Sequence, residues 1–168
     1  MQRRKLLAVG AATGLILTIG GAALGFLRPA RVDGRFTAIS NSAMAAVAQT
    51  VLEGFLPSDE AARAAQLKAH LNRLQATIAG LTPALQREVD ELLAMLAHPA
   101  GRMALFGLRS DWQVATARDV HDAMRTLQTS STHLRQQVFH ALRDLTNAAY
   151  FADPGTWVQL GYPGPRHV

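Results

Sequence analysis

The chain has no cysteine. That absence excludes disulfides, zinc–thiolate centres, cysteine-ligated iron–sulfur clusters and the Cys-x-x-Cys-His attachment of c-type haem. It also means that cysteine usage says nothing about the redox compartment. Basic charge is thinner than its total suggests: of the formal net +5, Arg3, Arg4 and Lys5 supply three, leaving two for everything that follows. The remaining arginines are dispersed, aromatic residues do not alternate with basic ones, and no DNA- or RNA-binding motif is present, so nucleic acid is not an expected partner. No stretch of useful length alternates apolar and polar residues with period two, which argues against a sheet.

Groups that could do chemistry are equally sparse. Glu53, Asp59, Glu60, Glu88, Asp90, Glu91, Asp111, Asp119, Asp122, Asp144 and Asp153 each sit where a helix cap, a first turn or a solvated face accounts for them. Ser130-Ser131 lacks the strand–turn–helix setting of a nucleophile. His133 and His140 share a helix face but lie two turns apart, too far for both to chelate one ion. Met44, Met95, Met103 or Met124 opposite His70, His98 or His121 could ligate a b-type haem, but core methionine is the commoner use of such positions. No catalytic residue, cofactor site or metal site is therefore expected in this chain.

What is present begins with Gln2-Arg3-Arg4-Lys5-Leu6-Leu7, followed by an uncharged run to Leu27. A basic start and an apolar stretch are the layout of an export signal. Arg3-Arg4 with Leu6 and Leu7 behind them points to the twin-arginine route, and Gly10, Gly14, Gly20, Gly21 and Gly25 dilute the hydrophobicity. Residues 1–27 are read as a signal or membrane anchor. Ala23-Leu24-Gly25 offers a small-x-small cleavage site, yet Leu6 to Leu27 is long enough to span a bilayer core, which needs about 20 residues. Both fates stay open, so the expected location is the periplasm, free or anchored to the inner membrane.

The 168 residues suit one domain with an appended segment. Residues 28–40, with Pro29 and Gly34, read as a polar linker, and 41–153 as an all-α bundle of about five helices. Asn41 or Ser42 caps a helix carrying Met44, Val47, Val51, Leu52 and Phe55. Ser58 or Asp59 caps the next, with Leu67, Leu71, Leu74 and Ile78, closed by Gly80. Thr82-Pro83 opens a third with Leu85, Val89, Leu92, Leu93 and Leu96, stopped by His98-Pro99. Pro99 to Trp112 reads as a short helix and loop. Thr116 and Asp119 have capping-box spacing ahead of Val120, Ala123, Met124 and Leu127. Ser130 or Ser131 caps the last helix, with Leu134, Val138, Ala141, Leu142, Leu145 and Ala149 inward.

That helix runs into a tail, Tyr150-Phe151-Ala152-Asp153-Pro154-Gly155-Thr156-Trp157-Val158-Gln159-Leu160-Gly161-Tyr162-Pro163-Gly164-Pro165. Asp153-Pro154 ends the helix, because proline donates no amide hydrogen and pushes the residue before it out of the helical region. Residues 154–168 are expected to be irregular. Trp157, Leu160 and Tyr162 are too large and apolar for a solvated tail, so the segment should lie on a surface, either that of a partner or that of its own bundle.

Tyr-Phe-Ala-Asp-Pro, a short spacer, Trp, then Leu-Gly-Tyr-Pro-Gly-Pro resembles the end of the small subunit of membrane-associated gluconate, sorbitol and glucose dehydrogenases, the gluconate 2-dehydrogenase subunit 3 family. The resemblance implies a non-catalytic subunit with no cofactor of its own. It implies as partner a large FAD-dependent subunit of the glucose–methanol–choline type, in many members joined by a multihaem cytochrome c. It also implies a role: stabilising the flavoprotein and escorting it, already loaded, through the twin-arginine pathway. Tyr150, Phe151, Asp153, Pro154, Trp157, Leu160, Gly161, Tyr162 and Pro163 would then form the partner-docking face. The spacer between Asp153 and Trp157 is shorter than in many members, so the partner's substrate does not carry over. Residue patterns without the resemblance also suit a free-standing periplasmic or membrane-anchored helical binding protein.

Overall fold

Capping residues punctuate the chain into short helices. In a computed structural model, residues 29–164 are described. The expected export segment, with Arg3, Arg4, Leu6 and Leu7, lies outside the described residues, as do positions 165–168. The helices are α1 (Ala38–Val51), α2 (Glu60–Ala79), α3 (Pro83–Ala97), α4 (Pro99–Phe106), α5 (Ala117–Gln128) and α6 (His133–Phe151), followed by a 3-10 helix, Pro154–Leu160. The domain is all-α, with one minimal hairpin. Among the described residues no helix is long and apolar enough to cross a membrane.

Most boundaries follow from side chains that satisfy the free amides of a first turn. Asp59 accepts from Ala62 N at 2.7 Å, and Thr82 accepts from Leu85 N ahead of Pro83. Thr116 and Asp119 form a reciprocal capping box. His98 ends α3 and caps α4, its Nδ1 accepting from Ala100 N at 3.2 Å. Gly107, at φ +68°, closes α4 in the left-handed conformation that glycine tolerates. Gly101 has a different reason: a Cβ there would collide with the Met95 carbonyl, because α4 turns back tightly on the end of α3.

Two helix starts and the linker differ from expectation. α1 is capped by Thr37, which accepts from Ser40 N, rather than by Asn41 or Ser42, so the helix starts within the stretch read as linker. α6 follows Thr132 with no side-chain cap; Ser130 instead accepts from Thr132 N in the preceding turn. The linker itself is structured. Arg31–Val32 pairs antiparallel with Arg35–Phe36, and Asp33 and Gly34 both adopt positive φ, as a two-residue hairpin turn requires. Arg31 grips Asp90 of α3 through two hydrogen bonds, Phe36 N donates to Gln75 of α2 at 2.7 Å, and Ala30 is buried in the core.

α1 is central, touching α2, α3, α5 and α6. Its Ala43, Met44 and Val47 join Leu74, Ile78, Leu92, Leu93, Leu96, Leu127, Val138 and Leu142 in the main core. Burying each large aliphatic side chain there contributes about 1.5–3 kcal/mol. A second apolar cluster lies towards the C-terminal end, built from Ala48, Leu52, Leu67 and Tyr150, with Phe55, Leu56 and Phe151 against it. This satellite cluster is the bed on which the tail rests.

Candidate partner-docking site

Tyr150 is where α6 meets the tail. It follows Ala149 on the buried side of α6 and is fully enclosed, edge-on to Phe55 and Phe151. Its hydroxyl accepts from Gln66 Nε2 at 2.8 Å and has two acceptors in reach for its own proton, the Phe55 carbonyl at 3.1 Å and Gln159 Oε1 at 3.2 Å. One phenol thus ties α2, the turn after α1 and the terminal 3-10 helix together. Tyr150, expected on the docking face, is instead a core residue of this chain, because a ring of that size on the inward side of α6 is worth more buried than exposed.

Past Tyr150 the expectation of an irregular tail is also corrected. α6 does stop, at Phe151, three residues before Pro154, but a new helix starts at that proline. Asp153 accepts from Gly155 N at 2.9 Å, and Pro154 occupies the first position, where its missing amide hydrogen is no loss. Gly161, at φ +65°, ends the 3-10 segment. Seven residues is long for 3-10 geometry, whose hydrogen bonds are poorer than those of an α-helix, and side chains brace it. Thr156, buried, donates to the Asp153 and Tyr150 carbonyls. Trp157 Nε1 donates to the Phe151 carbonyl at 2.7 Å. Arg73 of α2 meets Asp153 at 3.2 Å.

Trp157 is therefore half-buried on its own chain, with Tyr162 tilted against it at 5.4 Å and Gly164 packed on its edge. Asp153 and Phe151 are also half-buried, spent on capping and on the Phe55 contact. The residues left facing outward are Pro154, Leu160, Gly161, Tyr162 and Pro163 from the expected set. Val158, which sequence reasoning passed over, is the most open large apolar residue of the tail at 81% exposure, beside Leu160 at 51% and Tyr162 at 48%. The inner side of the tail is fastened to the bundle, and Val158, Leu160 and Tyr162 are left exposed on backbone that is already ordered. They can bind without first ordering the backbone that carries them.

Polar groups under the tail carry an electrostatic signature. His70 on α2 is fully buried, 6.0 Å from the Tyr150 ring, and neither ring nitrogen has a hydrogen-bond partner. Burial first, and the Arg73 guanidinium second, push its pKa down to about 4, so the ring is neutral at ordinary pH. Thr146 on α6 is likewise buried with an unpaired hydroxyl. Elsewhere, hydrogen bonds from the Thr116 side chain and backbone hold the Asp119 carboxyl below its usual range.

Among the described residues, no group of three or more histidines and carboxylates is arranged to hold a metal ion. His133 and His140 are both exposed. Met44 and Met124 are core residues, while Met103 points outward. In comparison with known proteins, no family model, no curated protein and no solved structure matches this chain.

Proposed function

We propose that this chain is the small, non-catalytic subunit of a membrane-associated, FAD-dependent sugar or alcohol dehydrogenase, which it stabilises and escorts to the periplasm by the twin-arginine pathway. The observation that carries the reading is the C-terminal segment. Its sequence, from Tyr150 to Pro165, resembles that of the gluconate 2-dehydrogenase subunit 3 family, and it holds Val158, Leu160 and Tyr162 outward on a braced support. In this reading FAD resides in the partner, a glucose–methanol–choline type flavoprotein; in many members of the family that this segment resembles, a multihaem cytochrome c joins them. Arg3, Arg4, Leu6 and Leu7 direct export, and the apolar run behind them serves as signal or inner-membrane anchor.

The physical logic is that a pathway moving folded proteins lets flavin insertion finish in the cytoplasm, so one signal serves both chains. The test is Arg3→Lys combined with Arg4→Lys. Dehydrogenase activity and both polypeptides should be retained in the cytoplasm. Undiminished periplasmic activity in the double variant contradicts the escort role.

A further inference from the structure

The folded domain starts closer to the apolar run than a thirteen-residue linker would place it. Leu27 ends that run, and Ala30, three residues on, is already buried. Its carbonyl accepts from Thr37 N at 3.0 Å, which ties it to the cap of α1. Arg31 beside it is held by Asp90, and Phe36 N by Gln75. Three residues span about 11 Å at full extension.

So short a tether bears on both fates of the run. A protease cutting after Gly25 finds only Phe26 to Pro29 before the buried Ala30, whereas cleavage requires accessible, extended backbone on both sides of the bond. A chain carried by the twin-arginine route is folded before it crosses, so the domain already crowds that bond. An uncut run from Leu6 to Leu27 crosses a bilayer core with little to spare, since about 20 residues are needed. Leu27 then lies at the hydrocarbon edge and Ala30 within about 11 Å of it. Headgroups alone occupy about 5–8 Å of that distance. The hairpin and the first turn of α1 are therefore the parts of the domain that meet the surface.

What they expose suits that position. The register Arg31 with Phe36 and Val32 with Arg35 puts the first pair on one face, with Phe36 against the core, and the second pair on the other. Val32 is 55% exposed, and Ile39, three residues after Phe36 in the first turn of α1, is 47% exposed. Charge contributes little. Between positions 28 and 39, Arg31 is spent on Asp90, Arg35 is balanced by Asp33, and only Arg28 is left over. Burial of apolar side chains is the stronger attraction.

We propose that the N-terminal run is retained as a membrane anchor and that the hairpin end of the domain, through Val32 and Ile39, lies on a phospholipid surface. The tail is then held away from the bilayer, because Phe55, on which Tyr150 packs, lies beyond the opposite end of α1, about 20 Å along the helix from Thr37. The inference shares the apolar run with the reading above and needs nothing from the flavoprotein.

A chain without cysteine makes the test clean. Val32→Cys, Ile39→Cys and Val158→Cys, each in the full-length chain, are labelled with an environment-sensitive fluorophore and reconstituted into phosphatidylcholine vesicles containing doxyl-labelled lipid. All three positions are exposed, so the label leaves the fold intact. Quenching should be severalfold stronger at positions 32 and 39 than at 158, and the unaltered chain taken from the cell envelope should have the mass of the uncut sequence. Equal quenching at all three positions, or none at 32 and 39, overturns the membrane-facing hairpin. A mass beginning at Phe26 overturns the retained anchor. Neither result touches the small-subunit role, which is read from flavin recovery.

Discussion

Arg73 of α2 and Asp153, the cap of the terminal 3-10 helix, meet at 3.2 Å across 80 residues of sequence. Asp153 serves two ends, accepting from Gly155 N as a cap and pairing with the guanidinium. The pair is about one-third exposed, so the ion pair is worth little by itself, whereas the cap is worth about 1 kcal/mol. Asp153→Ala should loosen the 3-10 segment by about 1 kcal/mol. Hydrogen exchange at Thr156 to Gly161 should accelerate severalfold while protection in α3 stays unchanged. Unchanged tail protection contradicts the capping role.

Removing the Tyr150 hydroxyl leaves Gln66 without a partner in a half-buried site and releases the Phe55 carbonyl and Gln159. Tyr150→Phe should cost about 1–3 kcal/mol by the unsatisfied-group argument. Tyr150→Ala should cost about 3–5 kcal/mol, as deletion of a buried aromatic does. Chemical denaturation of the folded domain measures both. A Tyr150→Ala variant as stable as the parent would mean the ring is not core.

Much of this was readable from side chains that act locally. Asp59, Thr82-Pro83 and the Thr116–Asp119 box cap helices within three residues of themselves, so their spacing alone declares them. The hairpin was not read because two-residue strands carry no alternation; the remaining signal, Asp33-Gly34, was visible as a turn pair. Thr37 was overlooked because Ala38, Ile39 and Ser40 begin α1 without a periodic apolar face. Tyr150 belongs both to the stripe of α6 and to the tail motif, and only the tertiary contact with Gln66 and Phe55 decides between them.

His70 makes stability depend on pH. Its folded pKa, about 4, lies below the ordinary 6.5, so the unfolded chain takes up a proton first as pH falls. Stability from this group is complete above pH 6.5, declines between 6.5 and 4, and levels off below. The full loss is on the order of 3 kcal/mol. His70→Phe, which keeps an apolar ring in the space, should flatten that part of the melting-temperature profile. A profile unchanged between parent and variant contradicts the assignment.

Gly101 tests the close return of α4 on α3. Gly101→Ala should destabilise the domain by about 1–3 kcal/mol or more, because the added methyl meets the rigid Met95 backbone. Gly34→Ala strains only an exposed turn and should cost less. Equal melting temperatures for the two variants would mean that α4 can shift away freely.

The proposed role as a dehydrogenase small subunit is tested most directly by the absorbance spectrum of what this chain carries with it. Tagged full-length chain, expressed together with its flavoprotein and extracted mildly from the cell envelope, should bring down a second, larger polypeptide with the two-banded spectrum of oxidised flavin. Addition of the correct sugar or alcohol should bleach that spectrum. Recovery of the chain folded, alone and colourless under the same conditions would contradict that role.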